Sequence, residues 1–95
     1  MDSVLNLLKI DLGISHNLRD AFFIQLLKGS VLEIELKGIT LDLNQADDQM
    51  LLSDYAAWCY RKRQEDVPLA NNIQARIRNR IIKERIAKQN ALFEI

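Results

Sequence analysis

Asp54-Tyr55-Ala56-Ala57-Trp58-Cys59-Tyr60-Arg61-Lys62-Arg63 holds the only tryptophan, the only cysteine, both tyrosines and the first cluster of positive charge in a chain of 95 residues. Wound as a helix at about 100° per residue, Leu51, Leu52, Tyr55, Ala56, Trp58 and Cys59 fall within one arc of about 160°, and Asp54 and Arg61 share an edge outside it. An apolar arc this wide predicts a central helix touching several neighbours, with the aromatic rings supplying much of the burial.

Working outward, Asp47 and Asp48 stand where the first turn of this helix would favour acid, and Arg61, Lys62 and Arg63 where the last turn would favour base, so the pattern predicts a helix near 45–63 that starts at Asn44 or Asp47. Downstream, Pro68 suits the first turn of another helix, near 68–90. Upstream, Ser3 can cap a short helix near 3–12 that stops at Gly13. Ile14-Ser15-His16-Asn17 then forms a connection, and Asn17 can cap a helix running through Leu18, Phe22, Phe23, Leu26, Leu27, Val31, Ile34 and Leu36. Those positions cover almost the whole circumference, which predicts burial within the chain or coverage by another one. Residues 32–43 alternate apolar and polar around Lys37-Gly38, a pattern also compatible with a hairpin. The stronger pattern is a helix near 17–37, stopped by Gly38 and followed by a short extended segment. The fold expected is a compact all-α bundle of about four helices, in one domain over 1–95.

Composition agrees, with 48% hydrophobic residues, 27% charged, one proline and three glycines, as in an ordered helical domain. A chain this short folds alone with little stability to spare. Met1-Asp2-Ser3-Val4 lacks the charged and apolar regions of a signal peptide, and no apolar run approaches the ~18 residues of a membrane span, so a cytosolic product is expected. Cys59 has no partner for a disulfide and reads as a small buried hydrophobe in a reducing compartment. His16 reads as a loop residue.

The formal charge is zero but unevenly spread: residues 1–60 carry four Lys or Arg against nine Asp or Glu, and residues 61–95 carry nine against four. Halves of −5 and +5 suit head-to-tail association between subunits, or mutual neutralisation within one. The last helix has a matching ambiguity. Leu69, Ile73, Ile77 and Ile81 recur every four residues, while Ala75, Ile82, Ile86 and Phe93 lie near the opposite face. Basic rows run between them, Arg76, Arg80 and Lys83 on one flank and Arg78 and Arg85 on the other. A peripheral helix needs one apolar face, so the second stripe is a candidate subunit interface; a central helix would use both inside the chain.

No glycine-rich phosphate loop, paired Cys or His metal spacing, or Ser-His-Asp relay is present, so no enzyme, metal or cofactor is expected. The basic helix leaves a small nucleic-acid-binding or regulatory module as the alternative function. An enzyme subunit whose chemistry resides in another chain is more remote.

Several stretches together resemble the small head-tail connector proteins of tailed bacteriophages and prophages, also called head-completion or adaptor proteins. They are Leu8-Lys9-Ile10-Asp11-Leu12-Gly13-Ile14, Asp20 with the apolar helix after it, Gly38-Ile39-Thr40-Leu41, Asp48 through Arg63, and Pro68 followed by Arg76-Ile77-Arg78-Asn79-Arg80. The resemblance covers about residues 5–85 and is most specific at Asp-Tyr-Ala-x-Trp-x-Tyr-Arg-x-Arg. It implies a structural subunit of a homo-oligomeric ring, dodecameric in the virion, below the portal protein at the head-tail junction. Such a ring extends the DNA channel, touches packaged DNA without reading sequence, and serves as platform for the next head-completion or tail protein. It would be made in the host cytoplasm and involve no membrane. The expected contact residues are Asp54, Trp58, Arg61, Arg63, Arg76, Arg78, Arg80, Ile82, Arg85 and Ile86.

Overall fold

The computed structural model describes the backbone of residues 1–93 and the side chains through Gln89; the expected outer-stripe residue Phe93 therefore lies outside the described side chains. Four helices follow in order, α1 (Asp2–Leu12), α2 (Asp20–Leu36), α3 (Ala46–Lys62) and α4 (Asn71–Phe93). The all-helical bundle is the architecture expected, and no strand occurs among the described residues. The alternation over 32–43 therefore belongs to the end of α2 and an irregular connection. Gly38, at φ 99°, adopts the left-handed backbone that only glycine enters cheaply.

α1 closes as periodicity and Gly13 predict. Gly13 lies at φ 73° and donates its N–H to the Ile10 carbonyl at 3.2 Å, and the Ile14 N–H reaches the Lys9 carbonyl at 2.8 Å. This pair of bonds is a Schellman closure, and it folds Ile14 back onto the core.

The helix starts differ from expectation. Ser3 is inside α1 and caps nothing, because the helix begins at Asp2. Asn17 does not cap α2. Its Oδ1 accepts a hydrogen bond from Lys9 Nζ at 2.8 Å, and the same ammonium lies 2.8 Å from Asp20 Oδ1. Lys9, 8% exposed, thus ties the end of α1 to the start of α2 and holds residues 14–19 as a turn, which delays α2 to Asp20. Leu18, expected on the helix face, falls in that turn and is exposed. Pro68 lies in the irregular segment 66–70, and α4 begins three residues later, where the Ala70 carbonyl accepts the Ile73 and Gln74 N–H groups.

α3 is the central helix, in contact with α1, α2 and α4. Leu51, Leu52, Tyr55 and Ala56 are buried as the arc predicts, but so are Ser53 and Ala57 on the other side. These small side chains lie between the apolar arc and the edge where Asp54 meets α4 and Arg61 meets α1. α2 is less enclosed than its all-round apolar pattern predicts. Phe23, Leu27 and Ile34 are fully buried, while Leu32 and Leu36 on the same helix remain exposed.

Candidate functional site

The second apolar stripe of α4 is exposed. Ile73 and Ile77 are buried against the body and Ile81 is half-buried, whereas Ile82 and Ile86, on the opposite side of the helix, stay 50% and 52% exposed. α4 is 23 residues long, about 35 Å at 1.5 Å per residue. That exceeds the 17-residue α3 on which it packs, so its later turns run past the body of a molecule 52 Å in its longest dimension.

Ion pairs within the chain take up much of the charge read from the sequence as available to partners. Arg61 bonds Asp11 at 3.2 Å, Arg76 bonds Asp54 at 2.7 Å, and Arg80 bonds Asp48. Each joins a cation of the positive half to a carboxylate of the negative half. Asp54, Arg61, Arg76 and Arg80, all expected at a subunit contact, are therefore engaged internally. The first pair is well exposed and contributes little, about 0–1 kcal/mol, while the second is part-buried.

The Asp48–Arg80 pair differs because Asp48 is only 4% exposed. Its carboxylate also accepts the Asp42 N–H at 2.7 Å, and Arg80 donates to the Thr40 carbonyl at 3.2 Å as well. Glu84, one turn along α4, accepts the Thr40 N–H. α4 is thus clasped to the start of α3 and to the α2–α3 connection. Burial pushes the Asp48 carboxyl up, but the hydrogen bond from Arg80, the Asp42 N–H and the Arg80 charge outweigh it and leave the pKa below the usual value. Arg80 is held more firmly protonated, chiefly by the hydrogen bond to Asp48.

The remaining expected contact residues divide in two. Arg78 and Arg85 are exposed on α4, make no ion pair among the described residues, and flank Ile82 and Ile86. Trp58 and Arg63 lie at the end of α3. Trp58 donates its indole N–H to the Val67 carbonyl at 2.9 Å, and the Arg63 guanidinium stands 5.0 Å from the Phe22 ring centre.

Trp58 and Arg63 also line a feature that periodicity does not reveal, an open trough of about 910 Å³ between α2 and α3. Its lining includes Leu26, Gly29, Glu33 and Leu36 from α2, and Tyr55, Cys59 and Lys62 from α3. Cys59 is half-buried there rather than enclosed, and its thiol points to Glu33 Oε2 at 3.8 Å. Burial and the Glu33 charge push the thiol pKa up, so it is protonated near neutral pH and is a poor nucleophile. Burial, followed by hydrogen bonding to Glu33, raises Tyr55 in the same direction.

Among the described residues no group of His, Cys, Asp and Glu is placed to hold a metal ion, and no helix is long and apolar enough to cross a membrane. His16, in the α1–α2 turn, accepts the Leu18 N–H at Nδ1. No protein-family model, curated protein or solved structure matches the chain.

Proposed function

We propose that the chain is a structural assembly subunit that forms a homo-oligomeric ring through the outer stripe of α4, and that this ring is the connector implied by the sequence resemblance. On this reading it sits at the head-tail junction below the portal, extends the DNA channel and presents a platform for the next head-completion or tail protein. The observation that carries the assembly role is the pair Ile82 and Ile86, on a helix whose inner face is already buried. Such apolar exposure on an otherwise satisfied helix supports a contact surface there. Arg78 and Arg85 beside the stripe supply orientation, or touch the backbone of packaged DNA without reading sequence. The nucleic-acid-binding alternative has less support, since Arg76 and Arg80 of the basic rows are already paired with carboxylates of the same chain.

Magnitudes set the conditions for assembly. Covering the exposed half of each isoleucine contributes about 1 kcal/mol, whereas association costs on the order of 4–15 kcal/mol. One such contact cannot hold a dimer. In a closed ring the last subunit makes two contacts for one association cost, and assembly on a portal template lowers that cost further.

Light scattering after size exclusion is expected to show a discrete oligomer of the 11.0 kDa chain at high concentration. Ile82→Asp with Ile86→Asp should reduce it to monomer with helicity and thermal midpoint unchanged, because both positions are half exposed in the isolated chain. Unfolding of that variant, or an oligomer that survives it, would sink the α4 assignment.

A further inference from the structure

The trough between α2 and α3 has three properties that the bundle itself does not require. First, Gly29 stands in the middle of α2 with a helical backbone, and a Cβ placed there would meet nothing within 4 Å. Glycine inside a helix is unfavourable relative to alanine, so the position carries a cost with no packing return within the chain. Its effect is to leave that part of the lining bare, so that another backbone can come close. Second, the apolar lining continues onto open surface, since Leu36 is 87% exposed and Leu32, one turn earlier, is 63% exposed. Third, the rim is cationic. Lys37, Lys62 and Arg63 make no ion pair among the described residues, and the Lys62 ammonium stands 4.8 Å from the Trp58 ring centre. Glu33, the one carboxylate in the lining, accepts the Cys59 thiol and faces Tyr55, so donors of the chain already engage it.

An apolar lining, an open position at Gly29 and cations without ion-pair partners among the described residues match one kind of occupant. We propose that the trough is the docking site for an acidic amphipathic helix of a partner protein, its apolar face laid over Gly29, Leu36 and Trp58 and its carboxylates on Lys37, Lys62 and Arg63. This is helix-in-groove recognition, in which apolar anchors at i, i+3, i+4 and i+7 supply affinity and flanking charge supplies orientation. The chain's own α4 does not suit the trough, because Arg78 and Arg85 beside its outer stripe would meet a rim of the same sign. No α4 residue lines the trough, so this docking site is independent of the α4 subunit contact.

Trp58 is the only tryptophan and lies in the lining, so its fluorescence reports occupancy directly. The probe is a synthetic helical peptide with leucines at i, i+3, i+4 and i+7 and glutamates along both flanks, titrated into the full-length chain. A saturable change in Trp58 emission is expected, with affinity falling about tenfold or more as salt rises through the physiological range. Gly29→Leu should fold at least as stably as the parent, by thermal melt, and lose the response. Lys62→Glu with Arg63→Glu should lose it too, and regain it with a peptide carrying lysine in place of glutamate. No response up to about 1 mM peptide, an equal response to the lysine peptide in the parent chain, or a response retained in Gly29→Leu would overturn the proposal. A change produced by duplex DNA and not by the acidic peptide would overturn it in favour of a phosphate-binding surface.

Discussion

Phe23→Ala is expected to remove about 3–5 kcal/mol of stability. Phe23 is fully buried, with its ring 5.3 Å from Phe22 and 5.5 Å from Tyr60, and Tyr60 comes from the central stretch of α3. Truncation opens a void where α2 meets α3, and the helices close it only partially. A domain of this size has on the order of 5–10 kcal/mol in total. The midpoint by circular dichroism should fall by about 15–30 °C. Leu18→Ala, at an 89% exposed position in the α1–α2 turn, is the control and should stay within about 0.5 kcal/mol of the parent. A Phe23→Ala loss as small as that of the control would mean that the aromatic cluster does not hold α2 to α3.

Arg80→Ala is expected to cost about 2–3 kcal/mol and to weaken one part of the acid response. Breaking a buried pair ordinarily costs about 3–5 kcal/mol; the lower figure applies because the Arg80 side chain is 26% exposed. In the parent the Asp48 pKa lies below its unfolded value. Its contribution to stability is therefore complete above an ordinary carboxyl pKa near 4 and is lost as pH falls through the lower folded value. Asp48→Asn should remove that component, so the parent-minus-variant difference shrinks as pH falls below about 4. In Arg80→Ala the carboxylate loses the main group that holds its pKa down, so less stability is lost as pH falls below about 4 than in the parent. Denaturant unfolding of the three proteins across pH 2–7 measures this. Parallel curves for the parent and Asp48→Asn would mean that the clasp is energetically silent.

The helix content was legible because its signals are local. Apolar spacing in α1, α3 and α4 and the glycines at 13 and 38 mark elements and stops within a few residues of themselves. The errors lie where a distant group captured a local one. Asn17 is a good cap by type, but Lys9 takes its side chain, so α2 waits until Asp20. α2 reads as enclosed because its apolar residues surround the axis, yet a bundle this small has too few helices to cover every side of it. The arc on α3 accounts for Tyr55 and Leu52 and omits Ser53 and Ala57, whose size gives no hydrophobic signal although close packing needs it.

Of the candidate contacts, helical phase alone sets Ile82 and Ile86 on the opposite side of α4 from Ile73 and Ile77, but which stripe the body covers depended on the neighbouring helices. Which cations are free could not be read that way. Arg61 meets Asp11 across 50 positions, Arg80 meets Asp48 across 32 and Arg76 meets Asp54 across 22. No periodicity spans such intervals. The trough depends likewise on α2 and α3 lying side by side, which makes Gly29 a gap rather than merely a weak helix former. Spacing along single elements was enough to place the four helices, the central position of the Asp54–Arg63 stretch and the two faces of α4, though not the helix starts. The tertiary structure alone decided which charges are consumed and where a concave surface remains, because both arise only when helices distant in the chain come within reach of one another.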